Sequence, residues 1–301
     1  MERTLISVVG PTAIGKTKLA IALAKHYNTE IISADSRQFF KEMNIGTAVP
    51  SLEELAAAPH HFIQHKSISE PYSVGDFERD AIAKLEQLFK RNSVVIMVGG
   101  SGLYVDAVTK GLDHFPEVEE SVRQKLNKEL AEKGISALQK QLQHLDPDYF
   151  KRVDIHNPHR LVRALEICIG TGKPYSSFLK KDKNKRSFKT ITIGIEADRA
   201  MIYERINLRV DLMIKAGLLE EVKSLIEHKA LNALQTVGYK ELFNYFDGLW
   251  ELDFAISEIK KNTRRFSKRQ LTWFRKTAGI TWVDFDEKIT DVVHKIETDN
   301  K

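Results

Sequence analysis

Along the N-terminal third of the chain, short apolar runs alternate with longer amphipathic stretches. Leu5-Ile6-Ser7-Val8-Val9 is rich in β-branched residues and closes on Gly10, whereas Lys18 to Ala24 has the composition of a helix. Thr29-Glu30-Ile31-Ile32-Ser33-Ala34 predicts a second strand ending at Asp35-Ser36, where the chain must turn. Asp76 to Arg91 then carries Phe77, Ile82, Leu85 and Phe89 on one helical face, and Val94 to Val98 reads as a buried strand. Strands alternating with helices in this way predict an α/β domain with a parallel, doubly wound sheet.

From Leu112 to Arg186 the pattern becomes helical and charged, as in Glu119-Glu120-Ser121-Val122-Arg123-Gln124-Lys125-Leu126. The polar, basic stretch Lys180 to Arg186 marks its far boundary, after which Thr190 to Ile195 resumes the strand pattern. A core of residues 1–111 plus 187–301 is therefore expected, interrupted by an all-helical insertion over 112–186. The remainder reads as helix through Lys276, then a strand from Ile280 to Phe285 and a terminal helix.

Composition adds limits rather than detail. Hydrophobic residues at 42% and charged residues at 29% are ordinary globular usage, which excludes a disordered or fibrous chain. Cys168 is the only cysteine, so no intramolecular disulfide or thiolate zinc site can form; its apolar neighbours Leu165, Ile167 and Ile169 predict a buried thiol. The run Leu5 to Val9 is too short for a signal-peptide core and nothing approaches a membrane span, so a cytoplasmic protein is expected. A net charge of +5 is compatible with a polyanionic partner without requiring one.

Chemistry enters at Gly10-Pro11-Thr12-Ala13-Ile14-Gly15-Lys16-Thr17, which fits the P-loop pattern G-x-x-x-x-G-K-[ST] between a predicted strand and a predicted helix. The glycines let backbone N–H groups turn toward phosphate oxygens, and the helix N-terminus adds partial positive charge. Lys16 can reach an outer phosphate, and Thr17 can hold magnesium. Such a loop reads a diphosphate whatever organic group it carries, ATP being only the commonest ligand. The usual NTPase also has an apolar strand ending in a metal-binding Asp, but here Val94 to Val98 runs into Gly99-Gly100-Ser101-Gly102, which disfavours an ATPase or GTPase motor. Asp35, at the carboxyl end of the second strand, is placed on the ligand-binding edge of the sheet and is the best candidate general base. Ser36, Arg37 and Gln38 follow in the same loop.

Two basic clusters are candidates for a nucleic-acid contact, the first equally readable as a solvated helix whose aromatics pack on the sheet and the second more simply as ordinary surface charge. Between Lys260 and Lys276 eight lysines and arginines occur with no acidic residue, and Phe266, Trp273 and Phe274 interleave with them. Asn157-Pro158 caps a second segment in which His159 and Arg163 share a helical face beside Arg160. The adjacent His60 and His61 have poor spacing for a shared metal, because neighbouring side chains on a strand point to opposite faces.

Taken in order, these motifs resemble the bacterial tRNA dimethylallyltransferases. The resemblance runs nearly end to end, through Asp35-Ser36-Arg37-Gln38, Gly46-Thr47-Ala48, Pro59-His60-His61, Gly99-Gly100-Ser101-Gly102-Leu103-Tyr104 and His159-Arg160-Leu161-Val162-Arg163-Ala164-Leu165-Glu166. It continues in Gly238-Tyr239-Lys240-Glu241 and Lys268-Arg269-Gln270-Leu271-Thr272-Trp273-Phe274-Arg275. Ser101 stands where the family more often has Thr, Ile14 where Ser is usual, and Val49 where a basic residue is common.

The resemblance implies a P-loop NTPase-like sheet that holds dimethylallyl diphosphate, with Mg2+ on Thr17. The acceptor it implies is the N6 amine of the adenosine 3′-adjacent to the anticodon, reached through the tRNA anticodon stem-loop. By the same resemblance Asp35, Thr17 and Arg209 are catalytic. Asp35, Ser36, Arg37, Gln38, Ser101, Arg123, His159, Arg160, Leu161, Val162 and Arg163 are carried over as tRNA contacts. So are Gly238, Tyr239, Lys240, Lys268, Arg269, Gln270, Trp273 and Arg275. A monomer is expected, with the helical insertion contacting tRNA. The main rival is a small-molecule or nucleotide kinase, which shares a P-loop and an Asp after the second strand; a non-catalytic RNA-binding P-loop protein is the third reading.

Overall fold

The computed structural model describes residues 3–179 and 186–299. The chain divides into two compact units, Met1–Lys110 with Arg186–Lys301, and Gly111–Lys185. The Lys180 to Arg186 boundary stretch lies outside the described residues except for Arg186.

In the first unit, β1 (Thr4–Val9), α1 (Lys16–His26), β2 (Ile31–Ser33), α2 (Leu52–Ala57), β3 (His60–His61), α3 (Val74–Leu88), β4 (Val94–Gly99) and α4 (Gly102–Lys110) follow in sequence. The second unit holds α5 (Glu120–Lys133), α6 (Ile135–Leu145), α7 (Pro147–Phe150) and α8 (Pro158–Thr171). The first resumes with β5 (Lys189–Glu196), α9 (Arg199–Lys215), α10 (Leu218–Ser224), α11 (Tyr239–Phe246), α12 (Leu252–Arg275), β6 (Ile280–Asp284) and α13 (Ile289–Asp299).

The six strands form one sheet in the order β3-β2-β4-β1-β5-β6, and every pair is parallel. β1 is buried along its whole length, and the alternation of its side chains serves two cores. Leu5 and Val9 join Phe77 and Leu85 of α3 and Phe274 of α12 on one face. Ile6 and Val8 join Ile21 and Leu23 of α1 and Ile202 and Ile206 of α9 on the other. The second unit has its own core, where Leu126 and Leu142 pack against Leu161, Leu165 and Cys168 of α8.

Several boundaries differ from the sequence pattern for local reasons. β2 is shorter than Thr29 to Ala34, because the Thr29 N–H bonds back to the Ala24 carbonyl and its hydroxyl donates to the Val94 carbonyl, closing the turn before the strand. Helix α3 begins earlier than Asp76, since Ser73 and Asp76 form a reciprocal capping box. The two-residue β3, paired with Ile31 and Ile32, is too short to leave a periodic signal. Among the described residues no helix is long and apolar enough to cross a membrane.

Candidate active site

Where β1 ends, its two neighbours in register with Val9 are Gly99 and Gly194, so no side chain crowds the loop that leaves the sheet. Gly10 has φ +147, and a Cβ there would come 2.8 Å from the Ile195 carbonyl oxygen. Ala13 (φ 66) and Gly15 (φ 105) complete the reversal, and Gly15 caps α1. These positive φ values let the loop reverse tightly between β1 and α1.

Three cations surround it. Lys16 folds back so that Nζ donates to the Pro11 carbonyl at 2.7 Å; Arg205 Nε donates to the Ala13 carbonyl at 2.7 Å; Arg209 Nη1 lies 3.4 Å from Thr12 Oγ1. Burial lowers the Lys16 pKa to about 8, against the pull of Asp35 and with the push of Arg209. Burial, reinforced by Arg205, also lowers that of Arg209. Lys16, Arg205 and Arg209 form no ion pair with a carboxylate among the described residues, so the positive charge around this loop is offset only in part, by Asp35 acting without direct contact. The described residues contain no cluster of three His, Cys, Asp or Glu that could hold a metal. A magnesium ion here would accordingly take the Thr17 hydroxyl, phosphate oxygens and water, which is the ligand set that ion accepts in phosphate sites.

Asp35 leaves β2 beside this loop, and both Lys16 and Arg209 feel its charge. Its Oδ1 accepts the Arg37 N–H at 3.1 Å, a local turn that fixes the carboxylate. Ser36 is held through Ser101, whose Oγ accepts the Ser36 N–H at 3.3 Å and lies 3.2 Å from its hydroxyl. Arg37 Nη1 donates to the Asn232 and Ala233 carbonyls, and Gln38 Nε2 to those of Thr47 and Ala48. Ser36, Arg37 and Gln38 therefore brace the loop that carries Asp35.

A cavity of about 840 Å³ opens between these groups, lined by Thr12, Asp35, Ser101 and Arg209 together with Arg269 and Trp273 of α12. Gly238 and Lys240 also line it, Gly238 as the N-cap of α11 with φ +98. Of the eight basic residues of the α12 region, Lys260 pairs with Asp211, Lys261 with Glu258 and Arg275 with Glu196, and Arg264 bonds Asn207. Arg265, Lys268, Arg269 and Lys276 remain exposed without a carboxylate partner among the described residues, and Arg269 stacks over Phe266.

Four of the expected RNA contacts are corrected by burial. Tyr239 is fully buried and its hydroxyl donates to Glu221. Gln270 is 6% exposed and both ends of its amide are bonded within the protein. Leu161 and Val162 point into the core of the second unit, because a helix presents only part of a continuous motif to solvent. In that unit His159 and Arg160 are exposed, whereas Arg123 and Arg163 both clasp the nearly buried Glu166, Arg163 also lying over Phe115. Outside the site, Cys168 is buried as expected, and His61 pairs with Glu30 at 2.6 Å while His60 Nδ1 contacts the Ala58 carbonyl.

One group the sequence does not single out is Glu221 on α10. Its carboxylate accepts the N–H groups of Asn44, Ile45 and Gly46 at 2.7 to 3.1 Å and the Tyr239 hydroxyl at 2.6 Å, and so shapes the Gly46-Thr47-Ala48 wall of the cavity. The Tyr239 ring lies against Gly46, where a Cβ would meet it at 2.6 Å.

Comparison with known proteins places this geometry. A family model described as IPP transferase matches residues 38–277. A tRNA dimethylallyltransferase of Christiangramia forsetii is 64% identical over 99% of both chains, and a tRNA dimethylallyltransferase 1 of Phocaeicola vulgatus is 44% identical over the full length of both. Among solved structures, the tRNA isopentenylpyrophosphate transferase of Bacillus halodurans is 38% identical, with TM-score 0.72 over 99% of this chain and 95% of that one. A eukaryotic dimethylallyltransferase acting on tRNA is 27% identical, with TM-score 0.83 over 99% of this chain and 79% of its own.

Proposed function

The chain belongs to the IPP transferase family and is a tRNA-prenylating enzyme, and on that premise we propose how its cavity serves the reaction. The donor is dimethylallyl diphosphate, its diphosphate seated in Gly10 to Thr17. The acceptor is the N6 amine of the adenosine 3′-adjacent to the anticodon, turned out of the loop stack into the cavity. One observation carries this reading: Thr12 of the loop with Arg209 beside it, the Asp35 carboxylate, and Phe266, Arg269 and Trp273 of α12 line a single cavity. A kinase reading would leave the exposed cations of α12 without a role, and the relatives favour prenyl transfer.

In the proposed step the N6 lone pair forms a bond to the allylic carbon. The bond from that carbon to the diphosphate oxygen breaks, and its electron pair leaves with the diphosphate. Asp35 accepts the N6 proton, and its hydrogen bond from the Arg37 N–H keeps the carboxylate oriented for that transfer. Lys16 and Arg209 stabilise the charge that gathers on the departing oxygens, an interaction worth more in a water-poor site than in bulk. A magnesium ion held at Thr17 supplies further neutralisation of the diphosphate when bound. Lys268, Arg269 and Trp273 hold the RNA at the mouth of the cavity, and His159 and Arg160 of the helical unit supply a further tRNA contact of their own.

The test is to incubate the protein with magnesium, unmodified tRNA and either dimethylallyl diphosphate or ATP, then digest the RNA and weigh its nucleosides. Prenylated adenosine with the isoprenoid donor alone is the expected result. ATP consumption on a small acceptor, with the RNA unchanged, sinks the reading.

A further inference from the structure

Helix α12 has two faces, and the inner one reaches the donor loop. On its outer side Lys268 and Arg269 are exposed. On its inner side Gln270 Oε1 accepts the Thr12 N–H at 2.8 Å, and Gln270 Nε2 donates to the Gly100 carbonyl at 2.9 Å. Thr12 belongs to the diphosphate loop. Gly100 precedes Ser101, whose hydroxyl holds Ser36 next to Asp35. A single amide thus joins three segments: the loop proposed to hold the donor, the loop that braces the proton acceptor, and the helix proposed to engage RNA.

The chemistry of that position is narrow. One side must accept from an N–H and the other must donate to a carbonyl, and a carboxamide does both from two separate atoms without ionising. Gly100 is matched to it, because a Cβ there would come 2.3 Å from Gln270 Nε2. One turn further along, Trp273 repeats the arrangement on the same loop. Its ring fills the space above Gly102, where a Cβ would meet Cδ1 at 2.4 Å, and its Nε1 donates to Asp106 at 3.1 Å. The helix cannot shift along its axis without carrying the Gly100 to Gly102 loop and the Thr12 backbone with it.

We propose that Gln270 is a positioning residue that couples RNA binding on α12 to diphosphate binding in the Gly10 to Thr17 loop. RNA seated on the outer face holds α12 in register, Gln270 then fixes Thr12, and the loop binds the anion in a preset shape. Linkage makes the effect reciprocal, so diphosphate tightens RNA by the same factor. This rests on the donor and acceptor assignments above.

The test measures inorganic diphosphate affinity, with magnesium, in the presence and absence of a tRNA that the wild-type protein prenylates, and the converse RNA affinity with and without diphosphate. Wild type is expected to show equal coupling in both directions, on the order of ten-fold. Gln270→Met, similar in size but unable to form either hydrogen bond, is expected to reduce the factor to near one while each ligand alone stays within a few-fold of wild type. Gln270→Glu provides a second handle should the Met variant not fold. As a carboxylate it accepts from Thr12 but repels the Gly100 carbonyl, and as the neutral acid it donates again. Its coupling should therefore be absent at neutral pH and recover as the pH falls, which a mere packing role would not produce. Wild type that prenylates RNA without any coupling, or variants that keep the full factor, overturn the proposal. A wild-type protein that does not prenylate RNA instead overturns the functional reading on which it stands.

Discussion

Two loops at the rim of the cavity enclose charge in opposite ways. Gly10 to Thr17 is ringed by Lys16, Arg205 and Arg209, none of them paired with a carboxylate among the described residues. Asn44 to Gly46 also turns successive N–H groups toward one centre, but there Glu221 has already filled it, with Tyr239 closing the fourth side. The physics of gathering backbone dipoles around an anion is the same. In the second loop the protein supplies the anion; in the first, on the proposed reading, it arrives from outside. The second is a joint and the first is proposed as a binding site, and the difference lies in where the countercharge is encoded.

Substitutions should separate the two. Asp35→Ala is expected to reduce prenyl transfer by about 10²- to 10⁴-fold, the usual range for a lost general base, while RNA affinity stays within a few-fold. Single-turnover rates and RNA titration on the same preparation check this, and an unchanged rate removes Asp35 from the chemistry. Glu221→Ala should do the reverse. Leaving three backbone donors without their charged acceptor should cost about 3 kcal/mol of stability, read by denaturant titration, with transfer per folded molecule reduced less than by Asp35→Ala.

A third experiment uses pH to find which loop contains a titrating group. Lys16 in the free protein loses its proton near pH 8, below the ordinary lysine value of 10.5. Above pH 8 diphosphate must restore that proton in order to bind the charged loop, so its affinity should fall by about ten-fold per pH unit. Lys16→Arg should abolish the break, since a guanidinium stays protonated there. The same shift makes the unfolded chain the better proton binder between about 8 and 10.5, so stability of the free protein should rise with pH across that window. The smallest effect concerns the outer face of α12. Lys268→Ala or Arg269→Ala should each flatten the slope of log RNA affinity against log salt by about 0.7 to 0.9. An unaltered slope would make that face structural.

Legibility in the sequence followed the same division. The Gly10 to Thr17 loop, the strands around it and the position of Asp35 are contiguous patterns, each readable from a few neighbouring residues. Glu221 sits in an unremarked acidic helix turn and gains its role from Tyr239 and from Asn44, Ile45 and Gly46, the last of them 175 residues away. The family resemblance implies an RNA contact at Gln270, but its side chain bonds Thr12, which is 258 residues away. Leu161, Val162 and Tyr239 were over-read for a related reason: a motif is continuous along the chain, whereas exposure alternates around a helix. The short β3 carries no period at all, and its pairing is decided by Ile31 and Ile32 rather than by its own composition.

The topology also sets an order of events at the ribosome. β1 pairs on one side with β4, starting at Thr4 with Val94, and on the other with β5, starting at Thr4 with Lys189. About a hundred residues must be translated between those two partners, some 5 to 20 seconds at typical elongation rates. Throughout that interval this strand, buried along its whole length in the finished sheet, has one edge unpaired, the condition under which nascent chains recruit chaperones or stick to one another.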